Sequence, residues 1–481
     1  VSIRSQFLSG LKWTVFGRVA SQLSTWVVTI YVMRLVGPAD YGLMAIAAIF
    51  SALFVLVSEM GLGSSVVRSK DIGPRQLQQV FGIVLLTKAS VCAVTVFAVA
   101  PLAALFFGET RLEGVLQVTA LQFIPAAFAV VPAALLTREM EFQGRAIIDF
   151  SANFGGALVT LGLAHFGYGV FALAWGSVAT AAIRAVGLNV LSPRVGLPVF
   201  RFAGCGALFH FGRNVAQTQL VWFVYSQADA FIAGKILGKH DLGVYSVSMD
   251  LAALPASRIS GILNQVVFPT LSKIQREGGT LAAPLLKGIR GLSLVSFPAM
   301  WGLSSVAPEL VPALLGPKWL EAVVPLTLLC LIMPLRVLSP LMHNGLYAVG
   351  RADVSFRITC ITALVMCTAF LVGTGFGLLG LSLAWAIVFP LVFLYNLVTA
   401  GRHFGLNARE ILAALLRPAL ASGLMYGSVA LLRASLPDPA LLRLLLLIAT
   451  GAAAYVAFSL AINREGLREA WQLLFRRRTS A

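Results

Sequence analysis

The chain has 481 residues, 58% of them hydrophobic and 11% charged, with a mean hydropathy of +0.88 and a formal net charge of +17. An ordinary soluble domain carries roughly 25% charged residues, so this composition excludes one and indicates an integral membrane protein. Ten-residue alternating strands are absent, which argues against an outer-membrane barrel, and the positive charge is read as topology plus attraction to anionic inner-leaflet lipid, not as nucleic-acid binding.

Apolar runs of about twenty residues are long enough, at ~1.5 Å per residue, to cross a ~30 Å hydrocarbon core as helices. They predict fourteen spans at 13–35, 42–63, 80–101, 115–136, 147–165, 169–190, 213–233, 243–266, 289–308, 322–345, 356–374, 377–399, 417–434 and 441–462. The opening VSIRSQFLSGLKWTVFGRVASQ is basic and then apolar, but Arg18 interrupts the run and no small-x-small cleavage pattern follows. It is therefore read as a retained first span and not as a signal peptide. With the amino terminus inside, 25 of the 36 Lys and Arg fall on the cytoplasmic side and seven outside. That excess sets the orientation, with both termini cytoplasmic. Five cysteines with no CxxC pair support neither a disulfide framework nor a zinc site.

RLVGPADYG (34–42) and KILGKHDLG (235–243) align without a gap at an offset of 201, sharing Gly37/Gly238, Asp40/Asp241 and Gly42/Gly243. A second echo, FGYGVFALAWGSV (166–178) against FGLLGLSLAWAIV (376–388), matches at six of thirteen positions. Both imply a duplicated six-helix unit with two helices added: 1–200 for spans one to six, 201–400 for spans seven to twelve, and 401–481 for spans thirteen and fourteen with a basic cytoplasmic tail. Six is even, so the repeats are parallel, an arrangement used by transporters. The shared Gly and Asp are read as turn chemistry, with Gly supplying positive φ and Asp bonding its own backbone.

SGLKWTVFGRVASQ in the first span resembles the polysaccharide transporter (Wzx-type) branch of the multidrug/oligosaccharidyl-lipid/polysaccharide (MOP) flippase superfamily. So do RLVGPADYGLMAI, EMGLGSSVVRSKDI, QADAFIAGKILGKHDLGVYSVSMDLAALP and VVFPTLSKIQRE. The likeness covers roughly residues 5–400. It implies a V-shaped, two-lobed, all-α bundle. It also implies flipping of an undecaprenyl-pyrophosphate-linked oligosaccharide across the bacterial inner membrane for exopolysaccharide or O-antigen synthesis, by alternating access.

An ionisable side chain inside a span costs several kcal/mol and by default marks a pathway or a pair. Seven are singled out: Arg18, Glu59, Lys88, Asp229, Asp250, Arg258 and Arg336. Counted from the predicted ends, Arg18 and Glu59 lie about 7 Å from the cytoplasmic face and Lys88, Arg258 and Arg336 about 12–14 Å in, whereas Asp229 and Asp250 belong to the outer half. Arg18, Lys88, Arg258 and Arg336 are the candidate cations for a pyrophosphate. Alternatives stay open: Arg18 and Glu59 as a structural ion pair, Lys88 snorkelling to the interface, and Asp229 and Asp250 as an ion relay or as partners of Lys235 and His240. Asn153, Asn264, Asn344, His210 and His343 are candidates for sugar contacts, with interhelical bonding the favoured reading for each.

No GxxxxGK[ST] occurs, so no ATP site of that kind is expected, and the scattered histidines show no metal spacing. GTGFG (373–377) is read as a tight turn. Neither an enzyme nor a cofactor is expected. The tail REGLREAWQLLFRRR reads as an interfacial helix, with recruitment of a glycosyltransferase or polymerase partner as the alternative. Two other classes remain: a multidrug antiporter, which would want an acidic cavity, and a membrane-embedded polymerase or transferase, which would want a long catalytic outer loop.

Overall fold

The computed structural model describes residues 25–59, 73–139, 141–192, 196–200, 222–276, 280–436, 440–464 and 466–467. These residues are helical and contain no strand. In chain order the helices are α1 (Thr25–Leu35), α2 (Pro38–Glu59), α3 (Pro74–Phe107), α4 (Thr110–Arg138), α5 (Phe142–His165), α6 (Val170–Leu191) and α7 (222–236). They continue with α8 (Gly238–Arg276), α9 (Ala282–Leu314), α10 (Pro317–Ala348), α11 (Ala352–Thr374), α12 (Gly377–Phe404), α13 (Ala408–Arg433) and α14 (Ala440–Ile462). Eleven are long and apolar enough to cross a membrane. Each helix overlaps one predicted span, so the chain is an all-α polytopic membrane protein; residues 13–24, 60–63 and 213–221 of the predicted spans lie outside the described residues. The chain divides into two compact units, Val1–Gly243 and Val244–Ala481.

Several helices outrun the predicted spans; α3 begins at Pro74 and not near residue 80. Its first turn, Pro-Arg-Gln, is polar and lowers the local hydropathy, but proline at the first helical position fits the helix and Gln76 caps it by accepting from the Gly73 N–H at 3.2 Å. The outside of the bundle is apolar, with Phe97, Leu105 and Val190 largely exposed, whereas Ser248, Ser293, Ser304, Ser355 and Ser382 are fully buried. That distribution suits hydrocarbon as the solvent and small polar side chains between helices.

Prolines inside helices free carbonyls, and neighbouring helices answer them. Pro132 in α4 leaves the Phe128 carbonyl without its helical donor, and Asn189 Nδ2 from α6 donates to it at 2.9 Å. Pro298 in α9 does the same to Leu294, which accepts from Tyr455 Oη of α14 at 2.7 Å. A second device occurs in α3 and α12. Each contains a five-residue π-helical segment, Thr95–Val99 and Ala384–Val388, ending two residues before Pro101 and Pro390 respectively. A π turn widens the helix where a proline ring would meet the preceding turn.

The duplicated motif is more than a turn. Gly238 has φ +85°, as turn chemistry requires, but Gly37 is not left-handed, and Asp40 accepts from Arg111 Nη2 at 3.0 Å. The third shared glycine is needed for contact. A Cβ on Gly42 would stand 1.7 Å from the Lys239 carbonyl oxygen, and one on Gly243 would stand 1.8 Å from that of Pro38. Lys239 and Gly243 are Pro38 and Gly42 displaced by the same 201 residues. The two copies therefore meet reciprocally where α2 and α8 begin, at a distance only glycine allows. Around them Lys239 pairs with Glu109 at 2.7 Å, and Lys235 Nζ lies 4.4 Å over the Phe106 ring and donates to the Phe106 carbonyl.

Candidate functional site

In the first unit, Lys88 sits on α3 fourteen residues from Pro74, about 21 Å along the helix. The side chain is 2% exposed, its Nζ donates to Ser58 Oγ at 3.4 Å, and it lies 5.9 Å from the Phe123 ring centroid. Val91, Cys92, Ala120 and Phe123, with Phe54 and Val96, pack beside it. Lys88 is thus enclosed between helices and does not snorkel.

In the second unit, Arg336 lies on α10, twelve residues from Ala348, or about 18 Å from that end. Its guanidinium is stacked 4.3 Å from the Trp385 ring, and Nη1 donates to Met249 Sδ at 3.1 Å. Trp385 belongs to the π segment of α12 and is 2% exposed; its Nε1 donates to Tyr245 Oη at 2.7 Å, and Phe370 and Phe389 hold the ring at centroid distances of 5.1 and 5.4 Å. Arg336 is partly exposed. Among the described residues no carboxylate lies within ion-pair distance of it. A guanidinium fixed by its flat face on an aromatic ring keeps its N–H edge available for an anion. Trp175, the counterpart of Trp385 in the second echo, is 42% exposed, so the copies have diverged here.

Of the acidic candidates, Asp229 is 5% exposed and its Oδ1 accepts from the Ala230 N–H at 2.8 Å. The pairing of Lys235 with Asp229 is not formed, because Lys235 is engaged with Phe106. Asp250 is exposed, next to Met249 on α8. His343 Nδ1 is 2.8 Å from Ser355 Oγ, an interhelical bond between α10 and α11. Arg18, His210 and the side chains of Glu59, Arg258 and Asn264 lie outside the described residues, and so does the tail helix beyond residue 467. GTGFG is a tight turn: Gly377 has φ +70°, and a Cβ on Gly373 would stand 2.6 Å from the Gly380 carbonyl oxygen.

Residues 31–324 match the family described as polysaccharide biosynthesis protein. The chain belongs to that family. Among its relatives, the lipopolysaccharide biosynthesis protein WzxC of Escherichia coli K12 is 24% identical over 81% of this chain and 79% of its own length. The teichuronic acid biosynthesis protein TuaB of Bacillus subtilis 168 is 25% identical over 95% of both. The succinoglycan biosynthesis transport protein ExoT of Rhizobium meliloti 1021 is 24% identical over 78% of this chain and 76% of its own. In fold, the chain is similar to the lipid II flippase MurJ in its inward closed conformation, with a TM-score of 0.76 and 16% identity over 94% of this chain and 99% of that one. It is less similar to an inward-facing multidrug resistance MATE transporter of the MOP superfamily, at 0.57 and 13% over 79% and 95%.

Two charge clusters of this family member were not singled out from its sequence. Glu309 on α9, 9% exposed at its side chain, is held by Arg433 of α13 with Nε to Oε1 at 2.7 Å and Nη2 to Oε2 at 3.1 Å, and Arg443 of α14 lies 3.6 Å away. This cluster ties α13 and α14 to α9. The other is Arg145, Asp149 and Arg184 on α5 and α6. Asp149 and Arg184 both stand inside predicted spans, and that was the available signal.

Proposed function

We propose that this chain is a flippase that exports an undecaprenyl-pyrophosphate-linked oligosaccharide repeat unit across the bacterial inner membrane by alternating access. The observation that carries the reading is Arg336, a membrane-depth guanidinium without a carboxylate partner among the described residues, stacked on Trp385 in a chain of the polysaccharide biosynthesis family. A substrate with a pyrophosphate head presents about two negative charges, and the Nε and Nη2 donors of a guanidinium bind such a group bidentately. The relatives are named for polysaccharide biosynthesis, one of them is named a transport protein, and MurJ is named a lipid II flippase. In this reading 1–200 and 201–400 are the two repeats, 401–481 is an addition, both termini are cytoplasmic, and the chain is a transporter and not an enzyme. Lys88 contributes positive potential from within the first unit, and Arg18 and Arg258 are further cations for the substrate. A multidrug antiporter would place carboxylates where this chain places Lys88 and Arg336.

The experiment is gene deletion. Surface or secreted polysaccharide should vanish while lipid-linked units accumulate in the membrane, and a plasmid copy should reverse both. Disappearance of the lipid-linked unit itself, with polar effects excluded, would assign the chain to assembly and overturn the reading.

A further inference from the structure

Helices α5 and α6 carry three ionised side chains on neighbouring turns. Arg184 Nε lies 2.9 Å from Asp149 Oδ1, and its Nη2 donates to Asn153 Oδ1 at 3.3 Å. Arg145 Nε lies 3.7 Å from Asp149 Oδ2, and its Nη1 donates to Thr137 Oγ1 of α4 at 2.6 Å. Two arginines share one carboxylate, which leaves a surplus of one positive charge. Asp149 is seven residues from the start of α5 and Arg184 seven from the end of α6, so each is about 10 Å along its helix from that end. The helices are about 36 and 33 Å long against a ~30 Å core, which puts both groups below the hydrocarbon boundary.

A structural ion pair accounts poorly for this arrangement, because α5 and α6 are already interlocked without it. A Cβ on Gly156 would stand 1.8 Å from Thr180 Oγ1, one on Gly176 1.8 Å from Thr160 Oγ1, and one on Gly187 2.8 Å from Ile148. The charges are also open, with the Arg145, Asp149 and Arg184 side chains 41%, 39% and 38% exposed. Guanidinium and carboxylate groups left open at membrane depth and facing acyl chains would cost several kcal/mol, so this face meets water or a polar ligand.

We propose that the Arg145–Asp149–Arg184 cluster is a binding site for a phosphate-bearing lipid headgroup, reached from the cytoplasmic half of the membrane. Resting on the flippase reading above, its ligand is the pyrophosphate of the lipid-linked unit before translocation. Arg145 and Arg184 supply the charged N–H donors, and Asp149 holds the two forks in place while lowering affinity enough for release. The site is distinct from Arg336, which lies in the other unit.

The test uses the purified full chain in phosphatidylcholine nanodiscs, with farnesyl pyrophosphate as the probe. Arg184→Gln and Arg145→Gln should each weaken binding roughly ten- to hundred-fold, the loss expected for charged hydrogen bonds, with unfolding midpoints near wild type. Asp149→Asn raises the cluster from one positive charge to two and should tighten binding several-fold. Unchanged affinity in the two Gln variants overturns the site. So does an Asp149→Asn protein that loses stability without gaining affinity, the behaviour of a purely structural pair; this variant decides the matter if the Gln variants fail to fold. A second arm exchanges part of the phosphatidylcholine for phosphatidylglycerol. Stabilisation there that Arg184→Gln abolishes, with no farnesyl pyrophosphate binding, keeps the phosphate chemistry and overturns its assignment to the transported unit. Binding requires no transport, so a deletion strain with normal export defeats the flippase reading without defeating the site.

Discussion

Replacing Gly42 by alanine puts a methyl carbon 1.7 Å from the Lys239 carbonyl oxygen, where a real Cβ needs about 3.0 Å. The obstruction is backbone, so no rotamer change relieves it and the starts of α2 and α8 must separate by more than 1 Å. Overpacking of this kind costs about 1–3 kcal/mol, and a rigid obstacle selects the upper end. Alanine in place of a helical glycine returns about 1 kcal/mol, so the net loss for Gly42→Ala is about 2 kcal/mol. Gly243→Ala should cost the same, because its obstacle is the Pro38 carbonyl at 1.8 Å. The same separation relieves both clashes, so the double variant should lose well under the ~4 kcal/mol sum. Gly37→Ala is the control: nothing lies within 4 Å of its Cβ. Equilibrium unfolding of the purified proteins in detergent, followed by tryptophan fluorescence, reads all four. A Gly42→Ala protein as stable as wild type, or a fully additive double variant, would refute the reciprocal contact.

Glu309→Gln leaves Arg433 and Arg443 facing a neutral amide. Those arginines are about a quarter exposed, so the expected loss is about 3 kcal/mol, the lower end for breaking a buried pair, seen as reduced membrane abundance and earlier unfolding. Tyr245→Phe removes the acceptor of the buried Trp385 Nε1 and should cost about 1–2 kcal/mol in the same unfolding assay; an unchanged midpoint would deny that bond any weight. Arg336→Ala should abolish polysaccharide export at matched abundance, and Arg336→Lys should restore only part of it because an ammonium cannot stack flat on Trp385. Normal export by Arg336→Ala would remove Arg336 from the transport path.

The helices were legible because hydrocarbon demands long apolar runs, and every predicted span has its helix. Their ends were not, because residues such as Arg75 and Gln76 continue a helix into the interface while reading as loop. The repeated glycines were visible, but their purpose was not: Gly42 answers to a residue almost 200 positions away, which no local pattern records. Arg336 was identifiable as a charge inside a span, yet its setting depends on Trp385 in a π turn and on the lack of a nearby carboxylate among the described residues, both properties of packing. Asp149 and Arg184 stand close to the ends of their predicted spans, where a charge reads as interfacial, and only packing brings them together with Arg145.

The π segments in α3 and α12 each amount to one surplus residue inside an otherwise α-helical rod. In plain α-helix a single-residue deletion turns everything beyond it by 100° and moves each later side chain off its face. Within Thr95–Val99 or Ala384–Val388 the same deletion would only close the bulge, leaving Ala100–Phe107 or Phe389–Phe404 in register. Pro101 or Pro390 would then press on an unwidened turn. A family member one residue shorter at either place should therefore have lost the proline as well.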